Sequence, residues 1–550
     1  MFKKSKKPQL NLFSSPSSLF SERNLKIYEN KDAWHNKFRE QVTNRIDESI
    51  FKPLYSSTNG TPNASLKVLV AMMVLKEAEG LSDAKLYENC RFNLLIRSAL
   101  GLFNADDEVP TESTYYLFRQ KVVNYAKAGN ENLLEVVFEQ VTAAQCLEFE
   151  VSGKRIRMDS KLMSSNLAWL SRYEIVHETV RIFYREVKEK LDETTGAILE
   201  NICQMEGNKI VYHSTNEEVR AKLQELGELI YRIIPMFSEL KSENYELLKR
   251  VFEEQFEVKN GEVKAREKEK ISAKSVQSPH DPDATYRDKD GDKCKGYSIN
   301  VTESCDEEGL NLIGEVKVRN AGTADVEFLV EGIKTSGKVF TEKAKAAHTD
   351  GAYHSPENQE YCEENEIELY LHAIQGGKGR YDLEMREGKL KVIDTDTSKE
   401  LETQEIVTKK GETKWRIRTE KGLRYFTKRE IENSELRRKI AETPKEILQI
   451  RNNVEATIFQ LGYHYPNAKS RYRGQIKHQM WANLRCLWVN FVRILKFVTQ
   501  GSKKATLRAD NLINRSLSGL KIISHYVLTL VSQMFEWEIL KYQFFRKLEN

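Results

Sequence analysis

The sequence predicts a mixed α/β core interrupted by a helical insert and a β-rich insert, with an all-helical N-terminal domain and a helical C-terminal tail. Three observations carry that prediction. Short alternating runs (RIRMDSKLM, CKGYSINVTESC, LNLIGEVKVRN, IELYLHAI) recur through the middle of the chain as strands. Long Glu-, Lys- and Leu-rich amphipathic segments separate the first run from the others. From about Lys31 to Cys146, and again from Ser434 onward, the pattern is helical. A chain of 550 residues has room for roughly three or four domains.

Residues 1–24 are polar around a Ser-Ser-Pro-Ser-Ser centre and read as a flexible lead-in. Residues 25–150 form the helical N-terminal domain. Asn63 or Ser65 caps a helix that ends near Gly80, and Ser82 caps a second, with Lys85 where a capping box prefers Glu. Thr111 opens a third, whose Tyr115, Tyr116, Leu117, Phe118, Val122 and Val123 make a face wide enough for more than one neighbour. Such short helices suit a DNA-binding head or a generic helical domain. Residues 151–171 hold the first core strand, with Asp159 near its C-terminal end, and 172–275 the helical insertion. The core continues over 276–374: a hairpin turning at Glu307–Gly309, a helix from about Ala324 to Ser336, and a strand ending at Asp350. A helix capped by Ser355 with Pro356 at its first position and a fifth strand at Ile367–Ile374 complete it. Residues 375–430 are the β-rich insertion, 431–465 the last core helix, and 466–550 a basic helical C-terminal region.

Composition narrows the function classes. Apolar stretches such as Leu66–Leu75 and Tyr526–Phe535 fall short of the ~20 residues a bilayer demands, so no membrane partner is expected. The start has no continuous apolar run for a secretory signal. Seven scattered cysteines without a C-x-x-C pair argue against a disulfide framework or a structural zinc and suit a reducing cytosol. Net charge is only +4, yet between His464 and Arg515 the chain carries Lys469, Arg471, Arg473, Lys477, Arg485, Arg493, Lys496, Lys503, Lys504, Arg508 and Arg515 against a single acid, Asp510. That excess reads equally as a footprint for a phosphate backbone or as a solvated basic helix face.

Asp159 and Asp350 each close a predicted strand, where ligand and metal sites of α/β sheets tend to lie. Strand-terminal aspartates are also ordinary turn formers, and Gly351 lets the backbone turn sharply after Asp350. On adjacent strands the two carboxylates would repel unless a cation held them, and Mg²⁺ favours such oxygen ligands. Arg451 and Glu455 stand one turn apart on a helix whose Leu448, Val454 and Ile458 mark a buried stripe. Other features take plainer readings. His348 is a strand histidine, and Gly376–Gly379 lacks phosphate-loop spacing. Asp288, Asp290 and Asp292 lack an EF-hand's closing Glu, and Trp481, Trp488 and Phe491 are core.

Taken together, these segments resemble a bacterial insertion-sequence transposase of the DDE class, with an RNase H-like catalytic core and a helical N-terminal domain. The block IDESIFKPLYSSTNGTPNASLKVLVAMMVLKEAEGLSDAKLYENCRFNLLIRSALGL with EVPTESTYYLFRQKV is similar to that N-terminal domain. RIRMDSKLM resembles the first acidic motif, DPDATYRDKDGDKCKGYSINV the second-strand entry, HTDGAYHSPEN the second acidic motif, and NNVEATIFQLGYHYPNAKSRYRG the C-terminal motif. The resemblance implies Asp159, Asp350 and Glu455 as catalytic residues holding two Mg²⁺ ions, with Mn²⁺ as substitute. It implies Arg451, Lys469, Arg471, Arg473 and Lys477 as DNA contacts. Of the family's Tyr, Arg, Glu, Lys signature, Arg451 and Glu455 keep their spacing. Leu448 stands at the Tyr place and Gly462 at the Lys place, which leaves Lys469, Arg471 or Arg473 as candidates for the DNA-end contacts and Glu435 and Glu446 as outside candidates for the third acid. The implied function is binding of terminal inverted repeats with metal-dependent cleavage and strand transfer. The partners would be transposon-end and target double-stranded DNA, in a homodimer or larger synaptic assembly, in the cytoplasm and on the nucleoid. Two alternatives stay open: a hydrolysis-only RNase H-like nuclease and a non-catalytic DNA-binding regulator.

Overall fold

The computed structural model describes residues 1–5, 20–289, 291–374, 379–386, 388–408, 413–420 and 422–517, with side chains up to residue 500. Most of the lead-in, Asp290, the Gly376–Lys378 turn and the chain beyond 517 lie outside these residues. The chain divides into two compact units, residues 1–151, 308–312 and 484–550, and residues 152–307 and 313–483.

The first unit is helical. The helix Leu66–Glu79 starts where the Ser65 hydroxyl accepts from the Val68 N–H and ends at Gly80 in the left-handed region, φ 59°. Asn63 is not the cap; its side chain exchanges hydrogen bonds with the Lys3 backbone. This helix is buried on nearly every side, and the Glu48 carboxylate accepts from its first N–H groups, Leu66 at 2.7 Å and Lys67 at 3.1 Å. Ser82 caps Asp83–Phe92, Asn93 caps a further short helix, Leu94–Leu100, and Thr111 caps Glu112–Lys127. The face of that last helix is narrower than expected: Tyr115, Phe118 and Val122 are buried, while Tyr116 and Leu117 are exposed. A period of 3.6 turns consecutive side chains away from one another. Arg485, counted above in the basic excess, is buried and donates to the carbonyls of Glu77 and Ala78 at 2.8 and 2.7 Å, satisfying the C-terminal end of Leu66–Glu79.

The second unit is built on a mixed sheet of β1 (Arg155–Ser164), β2 (Asp292–Ser304), β3 (Ile313–Asn320), β4 (Ala346–Thr349) and β5 (Glu368–Leu371). Its order is β3-β2-β1-β4-β5, antiparallel from β1 through β2 to β3 and parallel from β1 through β4 to β5. A short strand, Thr285–Lys289, pairs with the first part of β2. Helix α1 (Leu329–Val339) follows β3, α2 (Pro356–Glu364) is the crossover between β4 and β5, and α3 (Asn453–Gly462) comes after both inserts. Helix α4 (Gln475–Leu517) follows, its Trp481 and Phe491 buried as the sequence predicts and Trp488 partly so.

Adjacent residues of a strand point to opposite faces, and this assigns the helices. On one face Met158 and Thr302 meet α1 at Gly332, where an added Cβ would lie 2.6 Å from Thr302 Oγ1. On the other, Arg157 Nε pairs with Glu303 Oε1 at 2.6 Å, Glu303 Oε2 accepts from Thr457 of α3 at 2.7 Å, and Arg157 Nη1 donates to the Ile450 carbonyl at 3.1 Å.

Several boundaries differ from the sequence reading: the fifth strand spans Glu368–Leu371, and the stretch 431–465 holds more than one helix, the first of which, Lys428–Glu442, packs on the β-rich insertion. Antiparallel pairing carries β1 on to Ser164 opposite Gly296, while its parallel pairing stops at Arg157 opposite His348, so Asp159 lies mid-strand. The turn between β2 and β3 runs over residues 305–312. The helix expected from Ala324 begins as a 3-10 turn, Asp325–Phe328, before α1.

The insertion over 172–275 packs its helices around a core of its own that includes Val180, Phe183, Leu226, Ile230, Leu248 and Val251. It closes with an unforeseen two-stranded ribbon, Phe256–Lys259 and Glu262–Ala265. The β-rich insertion holds two three-stranded sheets, and Leu390, Val392, Trp415, Ile417 and Phe426 form its core with Ile431 of the helix Lys428–Glu442.

Replacing Glu303 with Gln should leave the buried Arg157 without its counter-charge and destabilise the second unit by about 3–5 kcal/mol. Urea unfolding of the two proteins measures this.

Candidate active site

Two carboxylates meet beside the parallel pair β1 and β4. The register sets Arg157 opposite His348; two residues further along each chain stand Asp159 and Asp350, on the same face. Each has one oxygen tied to nearby backbone. Asp159 Oδ1 accepts from the Ser160 N–H at 2.9 Å, and Asp350 Oδ1 caps the 3-10 turn Gly351–Tyr353 by accepting from the Ala352 N–H at 2.8 Å. The other oxygens converge on one atom: Arg451 Nη2 lies 3.3 Å from Asp159 Oδ2 and 3.7 Å from Asp350 Oδ2. Asp159 is the more enclosed, with 14% of its side chain exposed against 28% for Asp350. Burial raises the Asp159 carboxyl above its ordinary range and the Asp350 charge adds to this, against the opposing pull of Arg451 and the Ser160 N–H.

Gly351 holds this geometry for a reason other than the sharp turn the sequence suggested. Its φ is not in the left-handed region, but a Cβ there would overlap the carbonyl oxygen of Ala373, just past β5. The requirement is close backbone approach. Behind the site, the buried Tyr353 hydroxyl donates to Asn300 Oδ1 at 2.6 Å and Ser160 Oγ donates to the buried Asp325 at 2.8 Å.

The other predicted residues are distributed as follows. Glu455 lies on the exposed side of α3 and makes no hydrogen bond or ion pair among the described residues. Glu446 is likewise exposed, and Glu435 accepts from the Met385 N–H in the β-rich insertion. Among the described residues no three His, Cys, Asp or Glu side chains are grouped to hold a metal ion, so Glu455 is not gathered with the aspartates. Lys469 donates to the Leu167 carbonyl and Arg473 to that of Asn166, at the far end of β1. Arg471 lies over the Tyr465 ring, and Lys477 is exposed. His348 stacks on Tyr370 with centroids 4.8 Å apart and neither ring nitrogen hydrogen-bonded.

The donor set suits a hard divalent cation: two carboxylate oxygens, each oriented by its partner oxygen's backbone hydrogen bond. The pair already draws a guanidinium, and that guanidinium is not saturated, because Arg451 Nε is buried without a hydrogen-bond partner.

Sequence reasoning passed over Lys161 and Glu303. Lys161 shares a strand face with Asp159, half-buried, and burial holds its ammonium below the ordinary value. Glu303 stands directly across from Arg157. Alternation along RIRMDSK was the available signal for Lys161; Glu303 needed the pairing register.

Residues 26–121, within the helical N-terminal region, match the protein family described as Transposase domain (DUF772). That match supports a transposase-type function, and with it DNA binding in general. No curated protein and no solved structure matches the chain. Among the described residues no helix is long and apolar enough to cross a membrane.

Burial and the charges of Arg155 and Arg157 lower the His348 pKa to about 4. The unfolded chain therefore binds the proton first as pH falls, so the sheet should lose stability from about pH 6.5 down to about 4. His348→Gln should flatten that part of a pH-dependent denaturation profile.

Proposed function

We propose that this chain is a DDE transposase of a bacterial insertion sequence. It would bind terminal inverted repeats and catalyse metal-dependent cleavage and strand transfer on an RNase H-like core. The observation that carries the reading is the convergence of Asp159 and Asp350 on one face of adjacent parallel strands, in a chain whose N-terminal region matches a transposase domain. The sheet, antiparallel on one side of β1 and parallel on the other, supports the RNase H-like core.

Asp159 and Asp350 would hold Mg²⁺, or Mn²⁺ in its place, through their Oδ2 atoms, with Glu455 the third acid and two metal ions the full complement. Bound divalent metal supplies Lewis acidity and charge neutralisation for attack on a phosphodiester. The chain's own residues position the reactants: backbone N–H groups fix the carboxylates, and the Arg157–Glu303 pair fixes the turn that carries Arg451. Arg451, Lys469, Arg471, Arg473 and Lys477 supply the cations for transposon-end and target DNA. A homodimer or larger assembly would bring two ends together, on the nucleoid. One observation favours a second reading, a non-catalytic DNA-binding regulator: no third acid joins the pair among the described residues.

The deciding test is cleavage of labelled DNA carrying the flanking terminal repeats, in Mg²⁺, by wild type, Asp350→Asn and Glu455→Gln. Nicking at the repeat ends by wild type alone supports the triad. Nicking by Glu455→Gln moves the third acid elsewhere, and repeat binding with no nicking by any of the three identifies the regulator.

A further inference from the structure

Gly462 is where the resemblance would place a lysine, and the space beside it holds one from elsewhere in the chain. A Cβ built on Gly462 would lie 2.9 Å from Lys161 Nζ. Gly462 has no positive φ, so its bareness serves room and not backbone freedom. Arg157, Asp159 and Lys161 alternate on one face of β1. They meet the C-terminal segment in sequence order: Arg157 at Ile450, Asp159 at Arg451, Lys161 at Gly462. Lys161 therefore stands two residues, roughly 7 Å of strand, from the acid pair.

Its ammonium makes no ion pair or hydrogen bond among the described residues. A half-buried cation without a counter-ion costs the fold free energy, and an arriving anion relieves that cost. Two other basic candidates are differently placed: Lys469 and Arg473 already donate to the carbonyls of Leu167 and Asn166, beyond the end of β1.

We propose that Lys161 holds a backbone phosphate of the DNA strand presented to Asp159 and Asp350, occupying the space that Gly462 leaves open. This rests on the transposase reading above. Lys161 acts as a phosphate-binding residue delivered from the strand of the first acid, where the resemblance would expect one from the helix of the third.

The test is fluorescence anisotropy with a labelled duplex bearing the terminal repeat, in Ca²⁺, over a range of salt. The proteins are wild type, Lys161→Gln, and Lys161→Gln combined with Gly462→Lys. Losing one phosphate contact should weaken binding and reduce the slope of log affinity against log salt by roughly 0.7–0.9. The double variant, which returns an ammonium from the helix side, should recover both. Thermal melting of Lys161→Gln should be no lower than wild type, because no internal partner is lost. An unchanged slope overturns the proposal, as does weakened binding that Gly462→Lys fails to restore. If wild type shows no salt-dependent DNA binding, the transposase reading falls and this proposal with it. If wild type nicks repeat ends while Lys161→Gln keeps the wild-type slope, only this proposal falls.

Discussion

The buried ion pair between Arg157 and Glu303 is the joint on which the second unit turns. Glu303 has no exposed side-chain surface and Arg157 only 10%, so neither charge can be left alone without a large desolvation cost. Their remaining polar atoms reach across to the C-terminal segment, Glu303 to Thr457 and Arg157 to Ile450. One electrostatic contact therefore registers β1 against β2 and seats α3 on the sheet. Arg451, the residue after Ile450, is delivered to the acids as a consequence.

The geometry of the acid pair follows from backbone rules more than from side-chain packing. Parallel pairing at Arg157 and His348 fixes which residues stand abreast, and strand alternation fixes the face. Asp159 and Asp350 each use one oxygen locally, so each has one oxygen to offer a cation. Gly351 keeps Asp350 close by admitting the Ala373 carbonyl. The two inserts, each with its own apolar core, enlarge the chain without altering the strand order at the centre.

Much of this was legible in the sequence because it depends on local chemistry. Ser65, Ser82 and Thr111 announce helix starts, since a hydroxyl there satisfies an N–H that the helix leaves open. The strand that carries Asp159 announces itself by the alternation of Arg155, Ile156, Arg157 and Met158. What stayed hidden depends on partners distant in the chain. Asp159 looked strand-terminal because its extended pairing with β2 lies across an insertion of over a hundred residues. Arg485 looked like surface charge, yet its partners are carbonyls of a helix some 400 residues earlier. Nothing in the sequence sets Lys161 apart, and only the approach of Gly462 gives it a neighbourhood.

The late position of the closing segments also bears on biosynthesis. Asp159 waits for a partner 292 residues downstream, and in the other unit Phe38 packs on Phe491 with ring centroids 5.2 Å apart. Neither unit can finish its core while the ribosome is still translating the middle of the message. The helical insertion, whose core closes entirely within residues 173–276, can condense first and wait. A message cut short between Gly351 and Arg451 would yield a protein with both aspartates and the whole helical insertion, yet without the segment that brings the acids a cation. The order of the chain thereby sets the order of assembly: Arg451 can reach the two aspartates only once both inserts have been translated.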